Sequence, residues 1–276
     1  MSNDYSSLSI SYAGAIATVT INHGPVNILD TQLMKDLYKA GKELEANQSV
    51  KVIIFDSANP DFFIAHADVN MIRQVEGTPA PDGKTPSMLQ SMFELYRNMP
   101  KVTIGKVKGI ARGGGSEFLL SLDMRFGAIG QAVFGQPEVG LGLIAGGGGC
   151  VRLPRLVGRS RAMEILLGCD DFNAELAERY GYINRAVAAD KIDEFVARLA
   201  ERIAIYPQHA IALTKKLVND ADQTNDQDFA NEYSSFYQSA THSGMAERMK
   251  QAMEVGLQTP EVEKGDLHDV IVKLDA

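Results

Sequence analysis

The pattern of hydrophobic and polar positions in the first 60 residues predicts alternating strands and helices. Residues 8–21 alternate loosely on either side of an Ala13–Gly14 turn and are rich in β-branched residues, which predicts a β-hairpin. Asp30 or Thr31 can then cap a helix whose apolar positions recur with helical spacing. Residues 50–55 form a nearly continuous apolar run, as expected for a strand covered on both faces. This strand–helix–strand order predicts an α/β domain.

The second half of the chain is predicted to become helical. A strand at residues 101–108 is followed by helices near residues 159–168 and 174–181, a short strand at 183–188 and an amphipathic helix at 190–205. Residues 209–258 are helical in pattern, and the tail from Pro260 is polar and poorly patterned. We therefore expect a strand-containing part at residues 1–195 and a helical part at 196–276, whose apolar stripes could pack against a neighbouring subunit.

Two glycine clusters stand out between residues 109 and 149. Each cluster, at residues 113–115 and 146–149, lies near a glutamate with apolar neighbours, Glu117 in SEFLL and Glu138 in GQPEVGLG. The first cluster follows a strand and opens a helix, so its amides can bind an anion or form an oxyanion hole. Two carboxylates in one small cavity are suited to general acid and base work. A tight turn without a ligand and surface glutamates are the alternatives.

Composition narrows the classes of function. The net charge of −8 argues against nucleic acid as the main partner. Two cysteines in 276 residues indicate a reduced, cytoplasmic setting, the first ten residues lack the features of a secretory signal, and no apolar run is long enough to span a membrane. Four of the five histidines, His23, His209, His242 and His268, lack metal-binding spacing or a partner set of cysteines and histidines, so we expect no metal site. The serine in GGGSEF does not match a nucleophile elbow.

Several residues near the first glycine cluster are further candidates. His66 lies in FFIAHADV, and although a packed or exposed histidine is the simpler interpretation, its loop could reach the same cavity. Basic residues also precede the cluster, and an anionic substrate tail could use some of them, although such charges commonly form a solvated face. They are Lys101, Lys106, Lys108 and Arg112.

These segments together resemble the crotonase superfamily, which contains the enoyl-CoA hydratases and isomerases. The matching stretches are NHGPVNILD, FIAHADVNMI, KGIARGGGSEFLLSLDMRFG and FGQPEVGLGLIAGGGGCVRLPRLVG, which span residues 22–158. The resemblance implies a ββα spiral core with a helical C-terminal region that forms trimers or hexamers and completes part of the acyl-CoA site. It also implies no permanently bound cofactor, since coenzyme A arrives as part of the thioester substrate.

The resemblance also assigns roles to individual residues. Glu117 and Glu138 match the two catalytic glutamates, Ala65 and Gly114 match the positions whose amides form the oxyanion hole, and Gly146 matches the glycine that helps hold the reacting water. The segment expected along coenzyme A comprises Val26, Ala65, His66, Ala67, Asp68 and Val69.

The expected activity is addition of water to 2-enoyl-CoA thioesters, because both glutamates are present. The alternatives are a Δ3,Δ2-enoyl-CoA isomerase or another enzyme of the superfamily, and a non-catalytic acyl-CoA-binding scaffold. The sequence departs from the family pattern in four places. His66 and Ala145 replace a usual glycine and proline, and Lys106 and Lys108 stand where small or neutral residues are common. The segment THSGMAERMKQA lacks the acidic residues that are common before the GM pair in the family. The imidazole of His66 could narrow the acyl pocket or take part in the chemistry.

Overall fold

The computed structural model describes residues 5–75, 78–222, 224–242 and 244–274. The remaining positions, which include 223, 243, 275 and 276 of the predicted helical part, lie outside the described residues. The described residues form ten strands and thirteen helices. The strands are β1 (Leu8–Ala13), β2 (Ile16–Ile21), β3 (Val52–Ser57), β4 (Phe62–Ile64), β5 (Val102–Val107), β6 (Ile110–Arg112), β7 (Met124–Ile129), β8 (Val133–Gly135), β9 (Phe172–Asn173) and β10 (Arg185–Ala188).

The helices begin with the predicted one behind Asp30, whose side chain accepts a hydrogen bond from the amide of Leu33. They are α1 (Thr31–Ala46), α2 (Val69–Arg73), α3 (Met88–Asn98), α4 (Gly113–Ser121), α5 (Gly149–Val157), α6 (Arg159–Gly168), α7 (Ala174–Tyr180), α8 (Ile192–Ala204), α9 (Gln208–Asp222), α10 (Asp226–Ala240), α11 (Met245–Glu254), α12 (Pro260–Glu263) and α13 (His268–Ile271). None of the described helices is long and apolar enough to cross a membrane.

The ten strands are divided between two sheets. The larger has the order β1-β2-β3-β5-β7-β10, and all its pairs are parallel except the predicted β1–β2 hairpin. The smaller has the order β4-β6-β8-β9. The chain thus repeatedly places one strand in the larger sheet and the next in the smaller before entering a helix. This repetition agrees with the predicted spiral of ββα units.

Helix α4 runs between the sheets and carries the first glycine cluster. Its Phe118 packs against four aromatic rings, those of Phe55, Phe63, Phe93 and Tyr96. A methyl group built on Gly115 would lie 2.2 Å from the carbonyl oxygen of Ile64, so β4 and α4 approach each other at a distance that only glycine permits. The glycine cluster therefore presses the start of α4 against the loop that follows β4.

The C-terminal part is more closely joined to the core than the predicted division suggests. Residue 195 falls inside α8, whose buried residues Ile192, Val196 and Ala200 pack on the larger sheet. The tail is also ordered differently from the sequence-based expectation. It contains α12 and α13, and its Leu267 and Val270 enter a hydrophobic cluster with Leu141 and Leu143. The buried positions of the tail follow no single helical period, so its packing against the core gives no signal in the sequence pattern.

Candidate active site

The second glycine cluster holds Glu117. This side chain is only 3% exposed, and its Oε1 accepts hydrogen bonds from the amides of Gly147 at 2.7 Å and Gly149 at 2.9 Å. The glycines at these positions are necessary for close approach, since a methyl group on Gly147 would lie 2.7 Å from Oε2. Glu117 is thus held by the glycine cluster that lies about thirty residues further along the chain, not by the one beside it in sequence.

Glu138, in turn, lies against the first glycine cluster. It precedes a 3-10 turn at Val139–Leu141, and a methyl group on Gly113 would lie 2.5 Å from its Oε1. Gly113 has a φ of +44°, a left-handed conformation that favours glycine. Glu117 therefore contacts the glycine cluster that is nearer to Glu138 in sequence, and Glu138 contacts the cluster that is nearer to Glu117. These crossed contacts bring the two predicted catalytic glutamates into one site.

The environments of the two carboxylates differ. Burial raises the pKa of Glu117 above its ordinary value, and the amides of Gly149 and Gly147 and the charge of Arg152 offset only part of that rise by stabilising the carboxylate. Burial and then the negative charge of Glu117 raise the pKa of Glu138 well above its ordinary value. The arrangement favours an ionised Glu117 next to a protonated Glu138, which is how a base and an acid can operate side by side.

Two backbone amides point to a second function for this region. A methyl carbon built on Gly114 would lie 3.4 Å from the nitrogen of Ala67 and 3.2 Å from its Cβ, so the two residues are adjacent. Neither amide has a hydrogen-bond acceptor among the described residues. The amide of Ala65, by contrast, donates to the carbonyl of Val26 at 3.2 Å. The expectation that Ala65 supplies the second free amide conflicts with this geometry, which places Ala67 opposite Gly114.

Gly146 lies where the second cluster meets helix α10. A methyl group on it would come within 2.6 Å of the Phe236 ring, and its amide has no acceptor among the described residues. The amide is thus available to an external group beside Glu117.

The segment expected along coenzyme A is only partly accessible. Val26 and Asp68 line one small pocket of about 290 Å³ together with His23 and Gln258. Ala65 and Val69 are buried in the fold, and the amide of Val69 donates to Oε1 of Gln258 at 3.0 Å. Of the six residues in the predicted set, Val26 and Asp68 are the two that line this pocket.

His66 is bonded to its own loop and to the C-terminal tail. Its Nδ1 lies 2.7 Å from the carbonyl oxygen of Ala67, and its Nε2 lies 2.8 Å from Oε1 of Glu263 in the tail. Burial alone lowers the pKa of the imidazole, but the carboxylate of Glu263 and the Ala67 carbonyl outweigh that effect and raise it. Both ring nitrogens of His66 are thus bonded to partners within the protein, one of them in the C-terminal tail.

The four basic residues near the first glycine turn are all paired within the protein. Lys106, which departs from the family pattern, bridges Asp56 and Asp193, with Nζ–O distances of 3.0 and 2.8 Å. The others form the contacts Lys101–Asn47 and Lys101–Val50 carbonyls, Lys108–Asp193, Arg112–Asp171 and Arg112–Glu263. They do not form a free cluster for an anionic substrate tail.

A third carboxylate, missed in the sequence, lies close to the pair. Glu232 of α10 is 5% exposed and accepts hydrogen bonds from the amide of Cys150 and from Nε2 of Gln90, each at 2.8 Å. Burial and the charge of Glu117 raise its pKa to about 8. Nothing in the motif DFANEYSSF distinguishes this glutamate from a surface residue of a helix, so sequence reasoning had no signal for it.

A cavity larger than the one beside Val26 lies elsewhere. It measures about 930 Å³, lies against α9 and includes Tyr206, Ile211 and Lys215, with neither Glu117 nor Glu138 in its lining. The glutamates and the amides without an acceptor, rather than this larger cavity, therefore mark the candidate active site.

The spiral of ββα units thus carries two glutamates close to two backbone amides that have no acceptor among the described residues. The enoyl-CoA hydratase/isomerase family model matches residues 11–256, and the chain belongs to that family. Relatives include a crotonyl-CoA hydratase from Syntrophomonas wolfei, 32% identical over 80% of this chain and 84% of the relative. A short-chain-enoyl-CoA hydratase from Clostridium acetobutylicum is also 32% identical, over 75% and 78% of the two chains.

Solved structures agree with this membership. A protein from Streptomyces avermitilis, described as a candidate enoyl-CoA hydratase, superposes with a TM-score of 0.90 at 35% identity, covering 99% of this chain and 98% of the other. An enoyl-CoA hydratase from Bacillus anthracis superposes with a TM-score of 0.72 at 26% identity, covering 91% and 96%. The predicted crotonase fold is confirmed.

Proposed function

We propose that the protein is a hydratase that adds water in syn orientation across the double bond of 2-enoyl-CoA thioesters. The observation that supports this reaction most directly is the unequal pair of carboxylates. Glu117 accepts two amide hydrogen bonds that favour its ionised form, whereas burial and the neighbouring charge favour a protonated Glu138. Hydration requires one base for water and one acid for Cα, so both forms are needed at once.

The amides of Ala67 and Gly114 stabilise the intermediate. As water attacks, negative charge develops on the thioester oxygen, and two preorganised N–H groups can bind it without reorganisation. Gly114 opens α4, so the positive end of the helix dipole adds to the effect. Each such donor is typically worth about 3 kcal/mol of transition-state stabilisation. We assign this role to Ala67 rather than Ala65, because the Ala65 amide already donates to Val26.

The same geometry indicates which group activates the water molecule and which group delivers the proton. Glu117 takes a proton from a water molecule held by the carboxylate and by the Gly146 amide, and Glu138 delivers a proton to Cα of the enolate. The coenzyme A portion lies along residues 65–69, with Val26 and Asp68 lining the pocket beside it. His66 contributes its backbone and not its ring to the surface along coenzyme A, because the ring is bonded to Glu263.

The experiment that tests the proposal compares Glu117→Gln and Glu138→Gln with Glu194→Gln, a matched change at an exposed glutamate of α8. Crotonyl-CoA hydration by each site variant is expected to fall by about 100-fold or more, with the control unchanged. Wild-type rates from either site variant would contradict the mechanism. A 3-enoyl-CoA assayed in parallel distinguishes an isomerase, and thioester binding without turnover of any substrate would indicate a scaffold.

We also propose a homotrimer, or a hexamer built from trimers, in the cytoplasm. Several large apolar side chains are exposed on α9 and on the turn before it, namely Ile205, Tyr206, Leu213, Leu217 and Val218. Surfaces of this kind are usually covered by another subunit. Both cysteines carry free thiols, as expected in a reducing compartment. Light scattering during size-exclusion chromatography tests the assembly. A mass of 30.0 kDa, that of one chain, would contradict it.

A further inference from the structure

A chain of buried polar side chains leads from Glu138 through Gln136 and Ser116 to Tyr182. Gln136 lies between Glu138 and Ser116, whose Oγ is 3.0 Å from the Gln136 amide group. The same Oγ lies 2.6 Å from the phenol oxygen of Tyr182. Gln136, Ser116 and Tyr182 are each 0% exposed, so none can exchange these contacts for water.

The direction of the hydrogen bonds in this chain follows from donor strength. Burial raises the pKa of Tyr182, so its phenol keeps its proton and must donate it. The only acceptors offered by the described residues are the Ser116 Oγ at 2.6 Å and the Ser116 carbonyl at 3.3 Å. A phenol is a stronger donor than an aliphatic hydroxyl and takes the shorter contact. Ser116 is then left with its own proton to donate towards Gln136.

That proton decides which way the Gln136 amide faces. If its oxygen accepts from Ser116, its nitrogen lies 2.9 Å from Oε2 of Glu138 and 3.3 Å from Oε1. In the opposite orientation the amide oxygen faces the carboxyl group, which is favourable only with a proton on Oε2. Oε1, however, is the oxygen at the Gly113 turn, where the substrate thioester is expected. The amide orientation therefore selects the carboxyl oxygen that carries the acidic proton.

We propose that Tyr182 and Ser116 are positioning residues that orient the Gln136 amide nitrogen towards Oε2 of Glu138, leaving the acidic proton on Oε1. The inference rests on the proposed role of Glu138 as the acid. Once the proton has been delivered, the same donors stabilise the resulting carboxylate, because hydrogen bonds aligned in one direction strengthen one another. Breaking the chain is expected to leave Glu138 a weaker acid.

Other titratable groups around Glu138 do not replace this chain. They are Glu117, Glu232, Cys150, Cys169 and His66. The two carboxylates raise the pKa of Glu138, which is the opposite of what a donor does. Burial raises the pKa of both thiols, that of Cys150 to about 12, so they stay neutral, and the imidazole is bonded to Glu263. Gln136 is the only described side chain that offers Glu138 an N–H donor.

The test uses Ser116→Ala, Tyr182→Phe and the double variant. Matched controls are Ser121→Ala, a buried serine of the same helix bonded only to the Phe118 carbonyl, and Tyr96→Phe, a buried tyrosine bonded to the Leu37 carbonyl. Two readouts are measured across pH. The first is kcat and KM for crotonyl-CoA hydration. The second is infrared titration of the carboxyl band that disappears in Glu138→Gln, which reports the pKa of Glu138 without turnover.

The expected result is a raised pKa of Glu138, by about half a unit to one unit in Ser116→Ala and less in Tyr182→Phe. The alkaline limb of the rate profile moves up by the same amount, and kcat falls about three- to tenfold with KM unchanged. Because Tyr182 acts only through Ser116, the double variant matches Ser116→Ala alone. Shifts no larger than those of the controls, or additive shifts, would overturn the inference. The proposed function fails separately if Glu138→Gln keeps full activity.

Discussion

The imidazole Nε2 of His66 lies 2.8 Å from Oε1 of Glu263, and this contact joins the loop after β4 to a tail residue 197 positions away. Glu263 is fully buried and also accepts from the amide of Gln258 at 2.9 Å, while Arg112 contacts its other oxygen. His66, which departs from the family pattern, thus anchors the tail next to Ala67. The tail is therefore bonded directly to the loop that carries the Ala67 amide.

Loss of this pair should destabilise the protein in a defined pH window. The pKa of His66 is raised and that of Glu263 is lowered in the folded state. The histidine contribution is complete below its unfolded pKa of about 6.5 and disappears as pH rises through the folded value. The glutamate contribution is complete above about 4.5 and disappears on acidification. His66→Gln should therefore cost most between the two unfolded pKa values, near pH 5.5 to 6.5, by about 3 kcal/mol, and less once pH rises through the raised pKa of His66.

Urea unfolding at several pH values measures this effect. The matched control is His23→Gln, since His23 contacts Asp30 at the same 2.8 Å but both side chains are partly exposed. That variant should lose less than about 1 kcal/mol, because solvent screens the pair. Equal losses in the two variants, or a pH-independent loss in His66→Gln, would show that the buried ion pair is not the cause.

The choice of Ala67 over Ala65 for the oxyanion can be tested by removing a single N–H. Replacement of Ala67 by lactic acid, through nonsense suppression, converts its amide to an ester and keeps the side chain. We expect kcat for hydration to fall by about 100-fold with little change in stability, because one oxyanion donor is lost. The same replacement at Ala65 removes its bond to the Val26 carbonyl and should lower stability, with kcat nearly intact. The reverse pattern would restore Ala65 to the role.

Local patterns in the sequence predicted the elements well but not which amide is free. The hairpin, the helix behind Asp30 and the two glutamates each have a local or motif signal, and the structure places the glutamates together. Whether Ala65 or Ala67 keeps a free amide depends on pairing with residues 26–29, which are distant in sequence. Spacing within the motif cannot reveal that pairing.

Glu263 and Glu232 were missed for a similar reason. Both lie in polar stretches, where a glutamate is normally a surface residue. Their burial arises from partners far along the chain, His66 and Arg112 for Glu263, and Gln90 and the Cys150 amide for Glu232. Buried charges of this kind are defined by tertiary contacts, so a single sequence contains no pattern that announces them.

The close approach of β4 and α4 predicts an intolerant glycine. In Gly115→Ala the new methyl group would lie 2.2 Å from the Ile64 carbonyl oxygen, and a backbone atom cannot move aside as a flexible side chain can. We expect a loss of about 3 kcal/mol or more in urea unfolding. Gly168→Ala is the control, because its methyl group would meet nothing closer than 3.9 Å. A Gly115→Ala protein as stable as the control would contradict the tight contact.

The third carboxylate predicts an unusual dependence of stability on pH. The pKa of Glu232 is raised to about 8 from an unfolded value near 4.5, so between these values the folded state holds a proton that the unfolded state has released. Stability must therefore decrease as pH rises through that interval, by up to about 1.4 kcal/mol per pH unit from this group. Glu232→Gln cannot titrate and keeps a polar group facing Gln90 and the Cys150 amide, so its unfolding free energy should decline less steeply between pH 5 and 8. The exposed Glu194→Gln should retain the wild-type slope, and the same slope in Glu232→Gln would show that Glu232 ionises normally in the folded protein.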